Sequence, residues 1–225
     1  FTFDEVIDLD GKYLGPAFID VHTHGADGAD AMDSSEVALR KISKYLVQEG
    51  TANFLATTLT STKEILKNVL KIVANLQDKD IEGANIFGVH MEGPYFSIEY
   101  KGAQNDKYML PANIKELEEY LSVKEGLIKL FSISPHNQEN LEAIKFLVDK
   151  GVIASVGHSA ASYENVMKAV DYGLSHATHT YNGMKGFTHR EPGVVGAIFN
   201  SDNIMAEIIF DKFHVHPEAV RTLIK

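Results

Sequence analysis

Two histidines one residue apart, His22 and His24, close a short apolar run in Asp20-Val21-His22-Thr23-His24-Gly25. In an extended strand alternate residues share a face, so both imidazoles point the same way. Two imidazoles on one face, beside a glycine, can hold one divalent ion. A third apolar run ends Gly88-Val89-His90-Met91-Glu92-Gly93-Pro94. His90 and Glu92 share one face there, and a carboxylate at the end of an apolar strand is costly unless it is paired or bound to a cation. Further histidines close later runs: His136 in Ser-Ile-Ser-Pro-His-Asn, His158 in Val-Gly-His-Ser and His179 in His-Ala-Thr-His-Thr. Taken singly, each histidine reads as an ordinary polar residue near the surface, and the glutamate as half of an ion pair. Their recurrence at the ends of five runs is the informative feature. Imidazole and carboxylate together are the ligands that borderline metals such as zinc and iron(II) take.

The elements that must position these groups are seven apolar, β-rich runs, at 17–21, 52–59, 85–91, 128–133, 152–156, 174–180 and 204–210. Amphipathic stretches lie between them, at 35–48, 63–76, 140–150 and 163–172. Gly50, Gly151 and Gly173 stand just past three of these, the usual left-handed stop of a helix. Alternating strand and helix implies right-handed βαβ units and a parallel sheet. A closed (β/α)8 barrel needs eight strands and typically about 250 residues. Seven runs therefore fit either an open doubly wound sheet or an α/β barrel of the TIM type lacking its last unit. The polar residues decide for the barrel, which gathers the C-terminal ends of its strands around one cavity. The final segment, HPEAVRTLIK, reads as a helix with Pro217 at its first position, and the fold is expected to continue beyond Lys225. No low-complexity tract or linker marks a domain boundary.

Composition narrows the function classes. The chain is 44% hydrophobic and 23% charged, ordinary for a soluble domain. No run reaches the roughly 18 apolar residues of a membrane span, and FTFDEVIDLDGKYLG lacks the pattern of a secretory signal. Cysteine is absent, which removes disulfides and thiolate ligands and fits a reducing, cytoplasmic setting. A net charge of −10 disfavours nucleic-acid and anionic-membrane partners, while leaving room for a local basic pocket that takes one phosphate.

The segments "PAFIDVHTHG", "GVHMEGPYFS" with "KGAQN", "VGHSAASYE", "HATHTYNGMKGFTHREPGVVGA" and "FHVHPE", in this order, resemble the amidohydrolase superfamily. More narrowly they resemble its N-acetylglucosamine-6-phosphate deacetylases. The HxH marks only the superfamily, whereas "HMEGP", "GHS", "ATHTYN" and "HREPG" together are far more specific. Many relatives bridge two metals with a modified lysine at the end of the fourth strand. Here that end reads Ser132-Ile133-Ser134-Pro135-His136, and Lys129 lies at the opposite end. Deacetylases of this kind use a third-strand glutamate instead, which matches Glu92.

The resemblance implies a metal-dependent hydrolase that converts N-acetylglucosamine 6-phosphate to glucosamine 6-phosphate and acetate in amino-sugar breakdown, working as a homodimer. It makes Glu92, His158 and His179 ligands of a main divalent ion, zinc or iron, and gives His22 and His24 a second position. It places Asn182, Gly183 and Arg190 at the sugar phosphate, Ala103 and Gln104 at the substrate, and His214 near the amide or sugar. Three departures matter. Gln104 stands where some members carry a histidine. Asp211-Lys212-Phe213-His214 stands where many have Asp-Gly-x-His. The family's general base, an aspartate ending the eighth strand, is expected beyond Lys225. Residues 12–225 would form the hydrolase barrel, and residues 1–11 a remnant of a flanking small β-domain. Two other readings remain open: an amidohydrolase acting on a cyclic amide or an N-acyl amino acid, and a metal-binding but inactive barrel fragment.

Overall fold

The computed structural model describes residues 4–77 and 79–224. Each of the seven apolar runs supplies a strand to one parallel sheet: β1 (Phe18–Thr23), β4 (Thr51–Thr57), β5 (Asn85–Glu92), β6 (Ile128–Ile133), β7 (Ile153–Val156), β8 (His176–Ala177) and β9 (Met205–Ala206). Their order in the sheet is their order in the chain. Between β1 and β4 lie a small hairpin, β2 (Gly25–Ala26) and β3 (Ala29–Asp30), and helix α1 (Glu36–Gln48). The hairpin turns on Asp27-Gly28, both at positive φ, as a two-residue turn matched to strand twist requires. The other helices are α2 (Lys63–Gln77), α3 (Ile114–Leu121), α4 (Gln138–Asp149), α5 (Tyr163–Asp171), α6 (Gly193–Phe199) and α7 (Pro217–Ile224).

The helices form where the sequence supplies a cap and an apolar stripe. Ser35, Asn137 and Ser162 each accept a hydrogen bond from a first-turn N–H, which satisfies a donor the helix cannot. Leu39, Ile42 and Leu46 of α1, and Leu66, Val69, Leu70 and Val73 of α2, are buried. Their spacing of three and four keeps them on one face against the sheet. The central strands β4 to β7 are largely buried, as in a parallel sheet under helices: Phe54, Ile86, Val89, Met91, Phe131 and Ala154 are all at most 1% exposed, whereas Phe18 and Ile19 of the edge strand β1 are exposed. Gly50, Gly151 and Gly173 take φ of 84°, 75° and 96°, as their places after α1, α4 and α5 require.

The last two strands are shorter than the apolar pattern at 174–180 and 204–210 suggests. After β8 the chain turns through His179 and Tyr181, both at positive φ, and a strand cannot continue through left-handed residues. Helices α3 and α6 were not foreseen. In Ile-Lys-Glu-Leu-Glu-Glu-Tyr-Leu the apolar stripe is thin, and in α6 nearly every residue is buried, so no polar face marks it. Residues 4–11 contribute no strand; the first three residues of the expected remnant at 1–11 lie outside the described residues.

The sheet curls so that its two edges, β1 and β9, approach at their C-terminal ends, where His22 and Glu207 meet at 3.1 Å. Inside this curl the core is polar. His90, fully buried, donates from Nδ1 to the Val21 carbonyl at 3.1 Å and accepts at Nε2 from Ser132 Oγ at 2.7 Å. Hydroxyl contacts continue from Ser132 to Thr178 and from Thr178 to Ser155. Burial lowers the His90 pKa to about 3, so this ring is neutral and fully partnered. It shares a face with Glu92, as its spacing indicated, but supports the site from below.

Candidate metal centre

Glu92 is the last residue of β5 and is 2% exposed. His158 Nε2 and His179 Nε2 each stand 3.1 Å from its Oε1 and 3.1 Å from one another. His22 Nε2 lies 3.5 Å from Oε1, and His24 Nε2 lies 3.3 Å from Oε2. The five side chains thus form two triads, Glu92–His158–His179 and His22–His24–Glu92, that share the carboxylate. His22 lies in β1 and His24 just past its end, whereas His158 and His179 sit just beyond β7 and β8 at φ of 44° and 34°. Those left-handed turns aim the rings across the sheet end instead of along it.

In three of the four rings the second nitrogen defines what the first can do, whereas His179 Nδ1 is buried without a hydrogen-bond partner. His158 Nδ1 donates to the Tyr100 carbonyl at 2.9 Å, His24 Nδ1 to the Thr57 carbonyl at 3.3 Å, and His22 Nδ1 to Glu207 Oε2 at 3.1 Å. A neutral ring protonated at Nδ1 carries its lone pair on Nε2. Three lone pairs therefore face a carboxylate, an arrangement that is repulsive unless a positive charge lies between. Burial pushes the Glu92 carboxyl up, yet the surrounding imidazoles hold it well below the usual carboxylate range. Burial likewise would lower His22, but its bonds to Glu207 and Glu92 raise it to about 10. Positive charge is favoured at this centre. A proton serves one lone pair, whereas one dication satisfies several at once. The donor set fits such an ion: bonds of about 2.0–2.2 Å in tetrahedral geometry place ligand atoms about 3.3–3.6 Å apart, close to the separations here.

An open cavity of about 1130 Å³ lies over this centre. Ala103, Gln104, Asn182, Gly183 and His214 all line it. Gln104 is also committed downward. Its Nε2 donates to Glu92 Oε2 at 2.6 Å, and its Oε1 accepts from the Thr60 N–H at 2.7 Å. Gly183 approaches so closely that a Cβ there would lie 2.9 Å from His158 Nδ1. At the departure from Asp-Gly-x-His, Lys212 takes φ +67°, the conformation for which glycine suits that position. Asp211 holds the turn by accepting from the Phe213 and His214 N–H groups and from His214 Nδ1, and these bonds lower its pKa to about 2.

Two expected residues stand apart. His136 does not join the cluster; its Nδ1 contacts Ser134 Oγ and its Nε2 the Asn137 amide. Arg190 lies on the exposed stretch 186–190 and is not among the cavity-lining residues. The neighbouring Glu191 does not wait for it, since its Oε1 accepts from the Tyr163 and Gly193 N–H groups and its Oε2 lies 3.8 Å from Lys185 Nζ.

Glu207, Thr57 and Tyr100 were not foreseen. The last two act through backbone carbonyls, which no side-chain pattern reveals. Glu207 carried a signal of the kind that singled out Glu92, a carboxylate inside an apolar run, Ile204–Phe210.

The chain matches the amidohydrolase family over residues 13–225. It is 37% identical over 210 residues to an N-acetylglucosamine-6-phosphate deacetylase of Lysinibacillus sphaericus, covering 93% of this chain and 54% of that one. It is 35% identical over 215 residues to an N-acetylgalactosamine-6-phosphate deacetylase of Escherichia coli O157:H7, covering 96% and 57%. A solved N-acetyl-D-glucosamine-6-phosphate deacetylase from Mycobacterium smegmatis, in complex with N-acetyl-D-glucosamine-6-phosphate, superposes with a TM-score of 0.88 at 29% identity, over 92% of this chain and 54% of that one. The chain spans about half the length of the relatives it matches.

Proposed function

This chain belongs to the amidohydrolase family, a family of metal-dependent hydrolases with a barrel fold, and on that premise we propose that it carries the metal- and substrate-binding part of an amino-sugar-phosphate deacetylase. Residues 12–225 are the hydrolase domain in this reading, and 1–11 belong to a flanking β-domain. The observation that carries it is the pair of triads sharing Glu92, beneath a cavity wide enough for a sugar phosphate.

Glu92, His158 and His179 would hold the main ion, with His22 and His24 completing a second position; zinc or iron suits imidazole and carboxylate donors. A divalent ion bound there supplies Lewis-acid polarisation of the amide carbonyl and lowers the pKa of water. The chain's own residues bind and orient the substrate, and the proton transfer falls to the eighth-strand aspartate expected beyond Lys225. Asn182 and the Gly183 backbone orient the substrate from the β8 side, Ala103 and Gln104 from the side following β5, and His214 from above. Arg190 is the proposed phosphate contact, its planar fork matched to two phosphate oxygens. Such positioning places the acetamido group against the centre and removes the entropy cost of finding it. Asp20 is not assigned as a base: its Oδ1 accepts from the His22 N–H at 2.9 Å and steadies the loop of the ligand strand.

Relatives bearing both the glucosamine and the galactosamine name leave the sugar epimer as the finer question. Acetate release from N-acetylglucosamine 6-phosphate, N-acetylgalactosamine 6-phosphate and unphosphorylated N-acetylglucosamine, assayed with protein that includes the eighth-strand aspartate, tests the proposal. Turnover confined to the phosphorylated sugars is expected. Equal turnover of the unphosphorylated sugar, or none of any sugar with metal bound, would overturn it. In this reading the protein acts in the cytoplasm as a homodimer.

A further inference from the structure

Glu207 follows β9 directly, is 15% exposed at its side chain, and lines the same cavity as the two triads without belonging to either. Its Oε2 receives two donors, His22 Nδ1 at 3.1 Å and the His179 backbone N–H at 3.4 Å. Its Oε1 is buried without a hydrogen-bond partner. A buried carboxylate that leaves one oxygen unpaired costs free energy, so its retention calls for a compensating role. The two donors identify one. The first is the ring of a residue in the outer triad, the second the backbone of a residue in the inner triad.

A ligating imidazole gives its lone pair from one nitrogen and is oriented through the other, commonly by a carboxylate that fixes the tautomer and raises ligand basicity. Donation from Nδ1 to Glu207 leaves the His22 lone pair on Nε2, the atom facing Glu92. A ring free to flip, or protonated on Nε2 instead, could not ligate there. Resting on the metal reading above, we propose that Glu207 is a positioning residue for the second cation position, locking the His22 ring so that the His22–His24–Glu92 triad can hold an ion. The contact with the His179 N–H ties this lock to the inner triad. The alternative, an ion pair that merely joins the two sheet edges, would change stability without selecting between the two positions.

Cobalt(II) and zinc titrations of metal-stripped protein, with bound metal counted by plasma mass spectrometry, separate these roles. Wild-type protein is expected to take two equivalents, and His22→Ala one. Glu207→Leu should weaken the second equivalent by about 10- to 100-fold while leaving the first within about threefold, and the cobalt absorption of the second ion should disappear. Adding Glu207→Leu to His22→Ala should change nothing further. Glu207→Gln keeps an acceptor for Nδ1 and the side-chain size, so it should weaken the second ion less than Leu does; it decides the matter if the leucine variant does not fold. Wild-type affinity for the second ion in either variant overturns the proposal, as does equal loss of both ions. One equivalent in wild-type protein, unchanged by His22→Ala, also overturns it while leaving the metal reading intact. No bound metal in wild-type protein overturns the metal reading itself.

Discussion

The carboxamide of Gln104 clasps Glu92: Nε2 donates to Glu92 Oε2 over 2.6 Å while the other end of the amide accepts the Thr60 N–H. The amide orientation is thereby fixed from both sides. The two carboxylate oxygens are divided, Oε1 toward His158 and His179, Oε2 toward Gln104 and His24. Gln104→Leu would leave the buried Thr60 N–H without a partner and Glu92 Oε2 with His24 alone. The expected loss is about 1–3 kcal/mol of stability in metal-free protein, read as a drop in Tm, and a smaller loss once metal engages Glu92. An unchanged Tm would mean that water replaces the amide.

Glu92→Gln keeps the size of the side chain and removes the charge common to both triads. Metal content should fall sharply for both positions while the far-UV circular dichroism stays native. Retention of a full complement would make Glu92 a structural partner of the four histidines.

Gly183 has φ +58°, and a methyl group there would meet His158 Nδ1 at 2.9 Å and the Tyr100 carbonyl at 3.3 Å. Gly183→Ala should disturb the hydrogen bond that orients His158. The expected result is an affinity for the inner ion lower by about tenfold or more, in the range for a lost orienting contact, with the outer position less affected. Equal affinities in mutant and wild type would show that the loop yields.

Arg190 stands on an exposed stretch and does not line the cavity, so its proposed phosphate contact is directly testable. Arg190→Ala should lower kcat/KM for the phosphorylated sugar by roughly 10- to 150-fold, the worth of a charged hydrogen bond of about 1.5–3 kcal/mol. The Tm should be unchanged. A lowered Tm accompanying the loss would indicate a folding defect, and an unchanged kcat/KM would remove Arg190 from the phosphate site.

Chelation should lower thermal stability reversibly. An ion present at 100 times its Kd contributes about 2.7 kcal/mol. With about 2–4 °C per kcal/mol at this chain length, stripping it should lower Tm by roughly 5–11 °C, restored by zinc or cobalt. Magnesium, which favours an oxygen-only shell, should not restore it.

The clustering of Glu92 with His22, His24, His158 and His179 was legible in the sequence because strand periodicity and glycine stops fix where strands end. A barrel-like sheet then brings those ends together whatever the intervening chain does. His136 was misplaced for the same reason: its position past β6 resembles the others, but the turn after Pro135 sends its ring to Ser134 and Asn137. Gln104 was read as a wall of the substrate site, and its bond to Glu92 was invisible because the partners lie on a loop and a strand whose approach no local pattern encodes. Glu207 was missed because the apolar run around it looked like a strand interior. Only the shortness of β9 places that glutamate at the rim. Helix α6 was hidden by its own burial.

Strand order in the sheet equals strand order in the chain, and this has a kinetic consequence. Each ladder joins consecutive segments, so the sheet can grow one strand at a time, with modest loops to close at every step. Glu92, His158 and His179 all belong to the interval from β5 to just past β8, and their pocket can be complete while both ends of the chain are still unstructured. The His22–Glu207 contact spans 185 residues and needs β1 and the end of β9 together. During refolding the inner triad would therefore be ready for an ion first, and the outer one only when the ends meet. Metal uptake followed in time would then report on two stages of assembly.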